Sequence, residues 1–187
     1  MYPVRITGVG VVLREFRQDD ANQVATLVGD DRVVRWLSFD PRTKDEAARM
    51  LDGILQRAHV EPRAEYYLAV VKPDDDQVVI GFVRLGLDGV RAAKLGYAIS
   101  AEHWGRGYAS SAASAMLRFA FDDLGLHRVS AAIGPDNAAS IAVVSRLGMM
   151  YEGRIRDHVY TAGAWRDSLL YSMLSTEWVA RHPRTAA

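Results

Sequence analysis

The spacing of hydrophobic positions changes several times along the chain, and each change predicts a different element of structure. The clearest segment is residues 107–124, in which apolar side chains recur every three or four positions until Gly125 follows. This spacing predicts a long amphipathic helix, and the glycine predicts its end. The apolar positions are 109, 112, 113, 116, 117, 120, 121 and 124.

Three further amphipathic segments follow residues that commonly cap helices. The strongest cap is Thr43 with Glu46, a capping box in which each side chain can bind the other residue's backbone N–H. The three predicted helices follow Asp19, Thr43 and Asn137 and cover residues 21–28, 44–58 and 138–147. With residues 107–124, the sequence therefore predicts about four helices.

Segments rich in β-branched and aromatic residues, separated by turn residues such as Asp88-Gly89, predict about seven strands. Their mixture with helices favours an α/β (α+β) fold, a mixed sheet with helices on its faces. Because no repeat or linker divides the chain, we expect a single domain over residues 1–187, with a core at about 10–178 and a loose end at 181–187. The predicted strands are 9–13, 66–71, 78–85, 91–99, 128–133, 151–160 and 165–174.

Composition excludes several classes of protein. The 187 residues contain no cysteine, which rules out a disulfide scaffold, a thiolate metal site and a thiol nucleophile. The 23 basic side chains balance 23 acidic ones, which argues against direct nucleic-acid binding through a broad basic surface. No apolar segment is long enough to span a membrane, so we expect a cytoplasmic protein without membrane contact.

The candidate chemistry lies where the strand over 91–99 leads into the strong helix. Gly105 and Gly107 stand at the start of that helix, where the first backbone N–H groups have no partner within the helix. Such a terminus attracts anions, and Arg106 adds a positive charge. The alternative interpretation is an ordinary glycine-containing loop. No P-loop, G-x-S-x-G or H-E-x-x-H motif is present, so we expect no bound metal.

Several segments together resemble the GNAT N-acetyltransferases, and among them the ribosomal-protein N-terminal acetyltransferases of RimJ/RimL type. The resemblance covers residues 10–178 and includes the order of elements. It is carried by Leu13-Arg14-Glu15-Phe16, by Trp104-Gly105-Arg106-Gly107-Tyr108-Ala109, by Asn137-Ala138-Ala139-Ser140 and by Glu152-Gly153-Arg154.

The resemblance implies an acetyl-CoA site between two splayed strands, 91–99 and 128–133. The family's pyrophosphate motif, Q/R-x-x-G-x-G/A, falls on Trp104, Gly107 and Ala109, with tryptophan replacing the usual first residue. Ile99 would bind the pantetheine arm and the thioester oxygen, Asn137 would bind the arm from the other side, and Arg146 would lie near the phosphates. Asn137 can equally be a plain helix cap. The backbone N–H groups expected to hold the pyrophosphate are those of Arg106, Gly107, Tyr108, Ala109 and Ser110.

The acid and base of the reaction are harder to assign. Without cysteine, no acyl-cysteine can form, which favours direct attack of the amine on the thioester. The tyrosine acid of many superfamily members is replaced by Val144, which leaves Ser140 as the nearest polar candidate. Val159 stands where the branch's proposed carboxylate base is expected. Of the neighbouring Asp157 and His158, only one can face the cleft, and histidine suits proton transfer near neutral pH. The alternatives are a surface or structural role for His158 and a water relay in place of a side-chain base.

The resemblance implies an amine-bearing acceptor, a protein N-terminal α-amine first. A small amine such as a polyamine, an antibiotic or a peptide-like toxin is the alternative, and a catalytically silent acyl-CoA-binding module is a third hypothesis. Trp36, Leu37 and Phe39 lie where this family builds its acceptor wall, although core packing explains them equally well. The sequence leaves the oligomeric state open, a homodimer included.

Overall fold

The computed structural model describes residues 1–183 and contains one eight-stranded sheet with helices on both faces. The strands lie in the order β1-β2-β3-β4-β5-β6-β8-β7, and every adjacent pair except β5 with β6 is antiparallel. The mixed α/β class is therefore confirmed. The strands are β1 (Arg5–Gly8), β2 (Val11–Glu15), β3 (Glu65–Lys72), β4 (Asp75–Leu87), β5 (Ala92–Ile99), β6 (Arg128–Ile133), β7 (Met150–Thr161) and β8 (Ala164–Leu174).

The eighth strand arises at the start of the chain, where the sequence predicted a single strand over 9–13. Val9 instead lies in a tight turn between β1 and β2, and its side chain is 86% exposed. Gly10 follows with a φ of +67°, a left-handed conformation that glycine adopts without a steric penalty. The chain can therefore reverse direction here, and the prediction of one strand was wrong.

The four predicted helices are present, and two short ones accompany them within residues 1–183. The strong helix is followed by one π-helical turn, Phe119–Asp123, and Gly125 then adopts a φ of +61°. Thr43 and Glu46 form the predicted capping box. The N-cap of the first helix is Asp20 rather than the expected Asp19. The helices are α1 (Ala21–Gly29), α2 (Asp31–Val34), α3 (Lys44–Ala58), α4 (Tyr108–Arg118), α5 (Ala138–Arg146) and α6 (Ser175–Arg181).

Alternation along the central strands divides the core into two layers. On one face of the sheet, Leu68 and Val70 pack in a cluster with Met116 of α4. On the other face, Tyr67 of β3 packs in a cluster with Leu51 of α3. Because successive strand residues point to opposite faces, β3 supplies both layers and is apolar from residue 66 to residue 71. The expected loose end at 181–187 begins at the last residue of α6, and residues 184–187 lie outside the described residues.

The central feature for function is the divergence of β5 from β6. The two strands pair over Ala92–Lys94 and Arg128–Ser130, and within the described residues the pairing stops there. The splay expected between these strands is therefore confirmed. Arg128, at the paired end, donates to Glu152 of β7 at 2.7 Å and to the Ser172 hydroxyl of β8 at 3.0 Å. This cluster ties three strands together where the two splayed strands are still joined.

Candidate active site

A cavity of about 640 Å³ occupies the space between the diverging strands, and we call it the β5–β6 cavity. Its walls come from both strands, from the first turns of α4 and α5, from the segment after α2 and from the β7–β8 hairpin. Eight of the ten residues that the sequence predicted as site residues line it. They are Ile99, Gly107, Tyr108, Ala109, Ser110, Asn137, Ser140 and His158.

The backbone of Ile99 faces this cavity. The N–H of Ser100 donates to the Ile80 carbonyl of β4 at 2.9 Å. Because the hydrogen-bonding direction alternates along an antiparallel strand, the N–H and C=O of Ile99 point away from β4, toward the space left by β6. The indole Nε1–H of Trp104 donates to the Ile99 carbonyl at 2.7 Å. The Ile99 N–H therefore lies on the cavity side of β5, where the sequence placed a donor.

The N-terminus of α4 opens onto the same cavity. Its N-cap is Gly107, with a φ of +79°, and no side chain caps the helix. A Cβ built on Gly107 would meet no atom within 4 Å, so the approach to the backbone is open. The unpartnered N–H groups of the first turn and the positive end of the helix dipole together form a site suited to an anionic group such as phosphate.

The two predicted arginines lie outside the cavity lining. Arg146 of α5 donates from Nη1 to the Ser110 hydroxyl at 3.2 Å, which brings its positive charge to the first turn of α4. Arg106 is exposed in the loop before α4. Its charge acts on His103: burial, then the charges of Arg106 and Lys72, lower the pKa of that imidazole. Both arginines therefore increase the positive potential at the mouth of the cavity.

Asn137 and Ser140 occupy the first turn of α5. The Asn137 side-chain oxygen accepts from the Ser140 N–H at 3.1 Å, which is the helix-capping role. Asn137 also borders the cavity, so a ligand-binding role for its amide nitrogen is compatible with that cap. Val144, two turns along the helix, is fully buried and does not border the cavity.

Tyr97 borders the cavity beside Ser140, and sequence reasoning assigned it no role. Its hydroxyl donates to the Ser140 carbonyl oxygen at 3.3 Å. Burial raises the pKa of Tyr97 to about 12, so the phenol keeps its proton at neutral pH. The available signal was its spacing, because Tyr97 stands two residues before Ile99 and therefore on the same face of β5.

His158 borders the cavity, and Asp157 does not. The register of β7 with β8 shifts between Ile155 and Val159, and Asp157 in this bulge has a φ of +49°. Its N–H donates to the Asp167 carboxylate at 2.9 Å, which fixes the bulge. The structure thus selects the histidine from the two neighbouring candidates. Val159 lines the cavity as well, so no carboxylate stands at the expected position of the base.

Ser168 of β8 holds the His158 ring. Its hydroxyl lies 2.9 Å from His158 Nδ1, and Ser168 itself is 5% exposed. A buried partner on one ring nitrogen restricts the orientation of the imidazole and leaves Nε2 free for another partner. This pairing depends on the register between β7 and β8, so spacing along the sequence gave no signal for it.

The proposed acceptor wall is present in part. Trp36 and Leu37 line the β5–β6 cavity, whereas Phe39 borders a second pocket nearby. Leu37 and Phe39 also pack against the core cluster beneath α1 and α3, so the core interpretation applies to them too. Among the described residues that line the cavity, the charged side chains other than histidine are Arg84, Lys94 and Asp136.

Within residues 1–183, no group of three or more histidine, aspartate or glutamate side chains is placed to hold a metal ion. No helix in this part of the chain is both long and apolar enough to cross a membrane.

The mixed sheet splays beside a helix with free N-terminal donors, which is the arrangement that the resemblance to the N-acetyltransferases implied. Residues 11–150 match the family model described as the acetyltransferase (GNAT) domain. The chain belongs to this family and is an N-acetyltransferase, as the sequence resemblance predicted.

Relatives cover almost the whole chain. The N-acetyltransferase p20 of Bacillus licheniformis is 28% identical over 95% of this chain and 97% of its own length. The alanine N-acetyltransferase of ribosomal protein uS5 from Escherichia coli is 27% identical over 94% and 93%. Among solved structures, RimJ of Mycobacterium smegmatis in complex with CoA-disulfide has a TM-score of 0.83, 22% identity and coverage of 98% and 91%. The spermidine N-acetyltransferase of Vibrio cholerae with CoA and spermine has a TM-score of 0.78, 20% identity and coverage of 91% and 98%.

Proposed function

We propose that this N-acetyltransferase transfers the acetyl group of acetyl-CoA directly to a primary amine, with a protein N-terminal α-amine as the preferred acceptor. The observation that carries the proposal is the uncapped N-terminus of α4, which opens onto the cavity between β5 and β6. Phosphate-binding donors and a channel between two strands are the two elements that a CoA thioester requires.

The residues present fit the donor. The backbone N–H groups of residues 107–110 would hold the pyrophosphate, with Arg146 and Arg106 adding charge from either side. Asn137 would bind the pantetheine arm from the α5 side of the cavity. When bound, acetyl-CoA supplies an acetyl group activated as a thioester. Gly107 has no Cβ and faces open space, so a ligand can come close to its backbone.

Residues on two sides of the cavity would act on different atoms of the reaction. On the β7–β8 side, His158 would remove the proton from the incoming ammonium group while Ser168 holds the ring. On the β5 side, the Ile99 N–H would donate to the oxygen on which negative charge develops. The Ser140 hydroxyl is the donor available to the departing sulfur, and the protonated Tyr97 phenol donates to the Ser140 carbonyl oxygen and so holds that residue in place.

The charges of the cavity favour an α-amine over a polyamine. A polyamine carries several positive charges at neutral pH and needs carboxylates along its binding site. Among the described lining residues, Asp136 is the sole carboxylate; Arg84 and Lys94 also line the cavity, ion-paired with Glu65 and Asp88. The Escherichia coli relative that modifies ribosomal protein uS5 supports a protein acceptor for this chain too.

An acceptor panel tests this function. The protein would be incubated with acetyl-CoA and, separately, a peptide with a free N-terminal alanine, the same peptide with a blocked N-terminus and an internal lysine, and spermidine. Released CoA is then measured with a thiol reagent, which gives no background because the protein has no cysteine. We expect turnover with the free α-amine and little with the other two. Faster turnover with spermidine would overturn the acceptor assignment, and CoA binding without turnover on any amine would indicate a silent module.

A further inference from the structure

The face of the sheet that carries α1 and α3 is left open beyond β5. The core cluster beneath these helices reaches Ala98 of β5 and, among the described residues, includes none from β6, β7 or β8. The later helices α4, α5 and α6 pack on the opposite face, where they contribute to the other core cluster. Side chains that point to the first face from β5 onward therefore border the β5–β6 cavity instead of a helix.

The strand register arranges four residues of this open face in a row across the sheet. Arg84 of β4 lies opposite Gly96 of β5. Because β5 and β6 run parallel where they pair, the same register places Gly96 level with Ala132 across the splay. Ala132 lies opposite Leu170 of β8. All four residues line the β5–β6 cavity, and we call them the Arg84 row.

One end of the Arg84 row lies at the proposed reaction centre. Ser168 stands two residues before Leu170 and therefore on the same face of β8. Its hydroxyl contacts His158, the proposed base. The middle of the row, Gly96 and Ala132, carries no large side chain, so an extended polypeptide can cross it from the reaction centre toward β4.

The other end of the row presents positive charge. Nε of Arg84 donates to the Glu65 carboxylate at 2.6 Å, and Nε of Arg57 donates to the other oxygen of the same carboxylate at 2.6 Å. The two terminal nitrogens of Arg84 bond to no other residue within residues 1–183. Lys94 pairs with Asp88 at 2.8 Å. Three cations thus face two carboxylates, and Arg84 is held by Nε with two donors still available.

The length of the row indicates which part of an acceptor would reach Arg84. Neighbouring strands are about 4.8 Å apart, so the three steps from β8 to β4 cover at least about 14 Å. An extended chain advances about 3.3 Å per residue, and about four residues therefore cross the row. A side chain of glutamate length adds reach, which places the contact between the third and fifth residues after an α-amine bound beside His158.

We propose that the acceptor polypeptide crosses the Arg84 row and that the terminal nitrogens of Arg84 bind an acidic side chain between its third and fifth residues. Guanidinium groups bind carboxylates through paired donors, and the surplus positive charge at this end favours an acidic partner. The proposal rests on the proposed function and narrows its substrate class to protein N-termini that are acidic shortly after the first residue. Arg84 would determine specificity and take no part in the acetyl transfer itself.

Three peptides with a free N-terminal alanine test the proposal, with glutamate, glutamine or lysine at positions 3–5. We expect wild type to favour the glutamate peptide over the glutamine peptide by about fivefold in kcat/KM, since Arg84 is 48% exposed and solvent weakens its ion pairs. The lysine peptide should be the poorest acceptor. Arg84→Gln should remove the preference, and Arg84→Lys, which keeps the charge without the fork, should retain part of it.

Arg5→Gln is the matched control. Arg5 lies on β1 at the far edge of the sheet, is exposed like Arg84 and faces a carboxylate, Asp76, at 3.6 Å. Its replacement removes the same charge from the protein, so a preference that depended on net charge alone would fall equally in both variants. We expect Arg5→Gln to keep the wild-type preference.

Equal kcat/KM for the glutamate and glutamine peptides in wild type would overturn the Arg84 proposal and leave the proposed function standing. A preference that persists in Arg84→Gln would overturn it as well. If none of the peptides is acetylated, the proposed function fails, and calorimetry on CoA-saturated protein with the N-acetylated peptides then decides the Arg84 site. Tighter binding of the glutamate peptide, lost in Arg84→Gln, would support the site; equal affinities or no binding would reject it.

Discussion

The indole of Trp104 donates to the carbonyl oxygen of Ile99 over 2.7 Å, so the loop before α4 is tied to the cavity edge of β5. Two elements of the proposed site are thereby tied together: the backbone donor at the end of the strand and the helix terminus proposed to bind phosphate. Trp104 stands at the motif position where the family usually has glutamine or arginine. Its contact shows that a tryptophan at this position serves the geometry of the site.

Replacement of Trp104 by phenylalanine should weaken CoA binding about tenfold. The variant keeps the aromatic ring but loses the Nε1–H, so the loop before α4 is no longer bonded to Ile99. Isothermal titration with CoA measures the change. Trp165→Phe is the control, because Trp165 is an exposed tryptophan of β8 that lies outside the cavity lining. Equal CoA affinity in Trp104→Phe and wild type would show that the bond does not organise the site.

Gly107→Trp should abolish CoA binding and leave the fold intact. A side chain at this position projects into open space at the mouth of the cavity, where the pyrophosphate is expected. The φ of +79° adds a backbone penalty of about 1 kcal/mol for any residue other than glycine. Gly107→Ala separates the two effects, since alanine has the backbone penalty but adds only one methyl group, which meets no atom within 4 Å.

Binding should therefore fall far more in Gly107→Trp than in Gly107→Ala when both are titrated with CoA. Thermal unfolding should give similar Tm values for the two variants. A tryptophan variant that binds CoA like wild type would remove the pyrophosphate site from this helix.

The sequence predicted the parts of the fold that depend on local pattern. The apolar stripe of α4 and the capping box of α3 follow from spacing alone, and both are present. The reversal at Val9 was missed because the glycines on either side of it, Gly8 and Gly10, occur in strands as well as in turns. The splay of β5 from β6 was expected only through the resemblance to a known family. The residues of the two strands contain no pattern that predicts where their pairing ends.

Only some residues of the candidate site were predicted from the sequence, and the reason is geometric. Gly107 could be assigned because it stands at the start of a predicted helix, and the motif of the resembling family added Ala109 in the same segment. Ser168 could not be paired with His158, because their contact depends on a bulge that shifts the register of β7. Contacts between strands require a register, and hydrophobic alternation fixes that register only to within two residues.

His158→Ala should lower kcat about 100-fold if the imidazole removes the proton from the acceptor ammonium. Ser168→Ala should lower kcat by about tenfold, because the ring loses its buried hydrogen-bond partner while the base remains. The KM for acetyl-CoA should change little in either variant. His59→Ala is the control, since His59 lies at the end of α3 and its ring contacts the Leu55 carbonyl.

Steady-state kinetics with the best acceptor of the amine panel measures these values. An unchanged kcat in His158→Ala would exclude the histidine as the base. A loss of kcat in Ser168→Ala alone would assign the serine a direct role.

The ion pair between Glu152 and Arg128 should make the stability of the protein depend on acid pH. The Arg128 guanidinium, followed by the Ser172 hydroxyl, lowers the pKa of Glu152 from 4.5 to about 2. A carboxyl whose pKa is lower in the folded state stabilises the fold above its unfolded pKa. That contribution is lost as the pH falls from about 4.5 toward 2. Since the pair is about one-third exposed, we expect at most about 1 kcal/mol from it.

Glu152→Gln should therefore have a lower free energy of unfolding than wild type at neutral pH, and the difference should disappear as the pH approaches about 2. Urea unfolding followed by circular dichroism at a series of pH values measures this difference. Asp74→Asn, which removes a carboxylate from the exposed turn before β4, is the control and should show no such convergence. If the Glu152→Gln difference stays constant over the whole acid range, the carboxylate's charge contributes nothing. The three strands at the closed end of the splay would then be held by packing and by the neutral hydrogen bonds of Ser172.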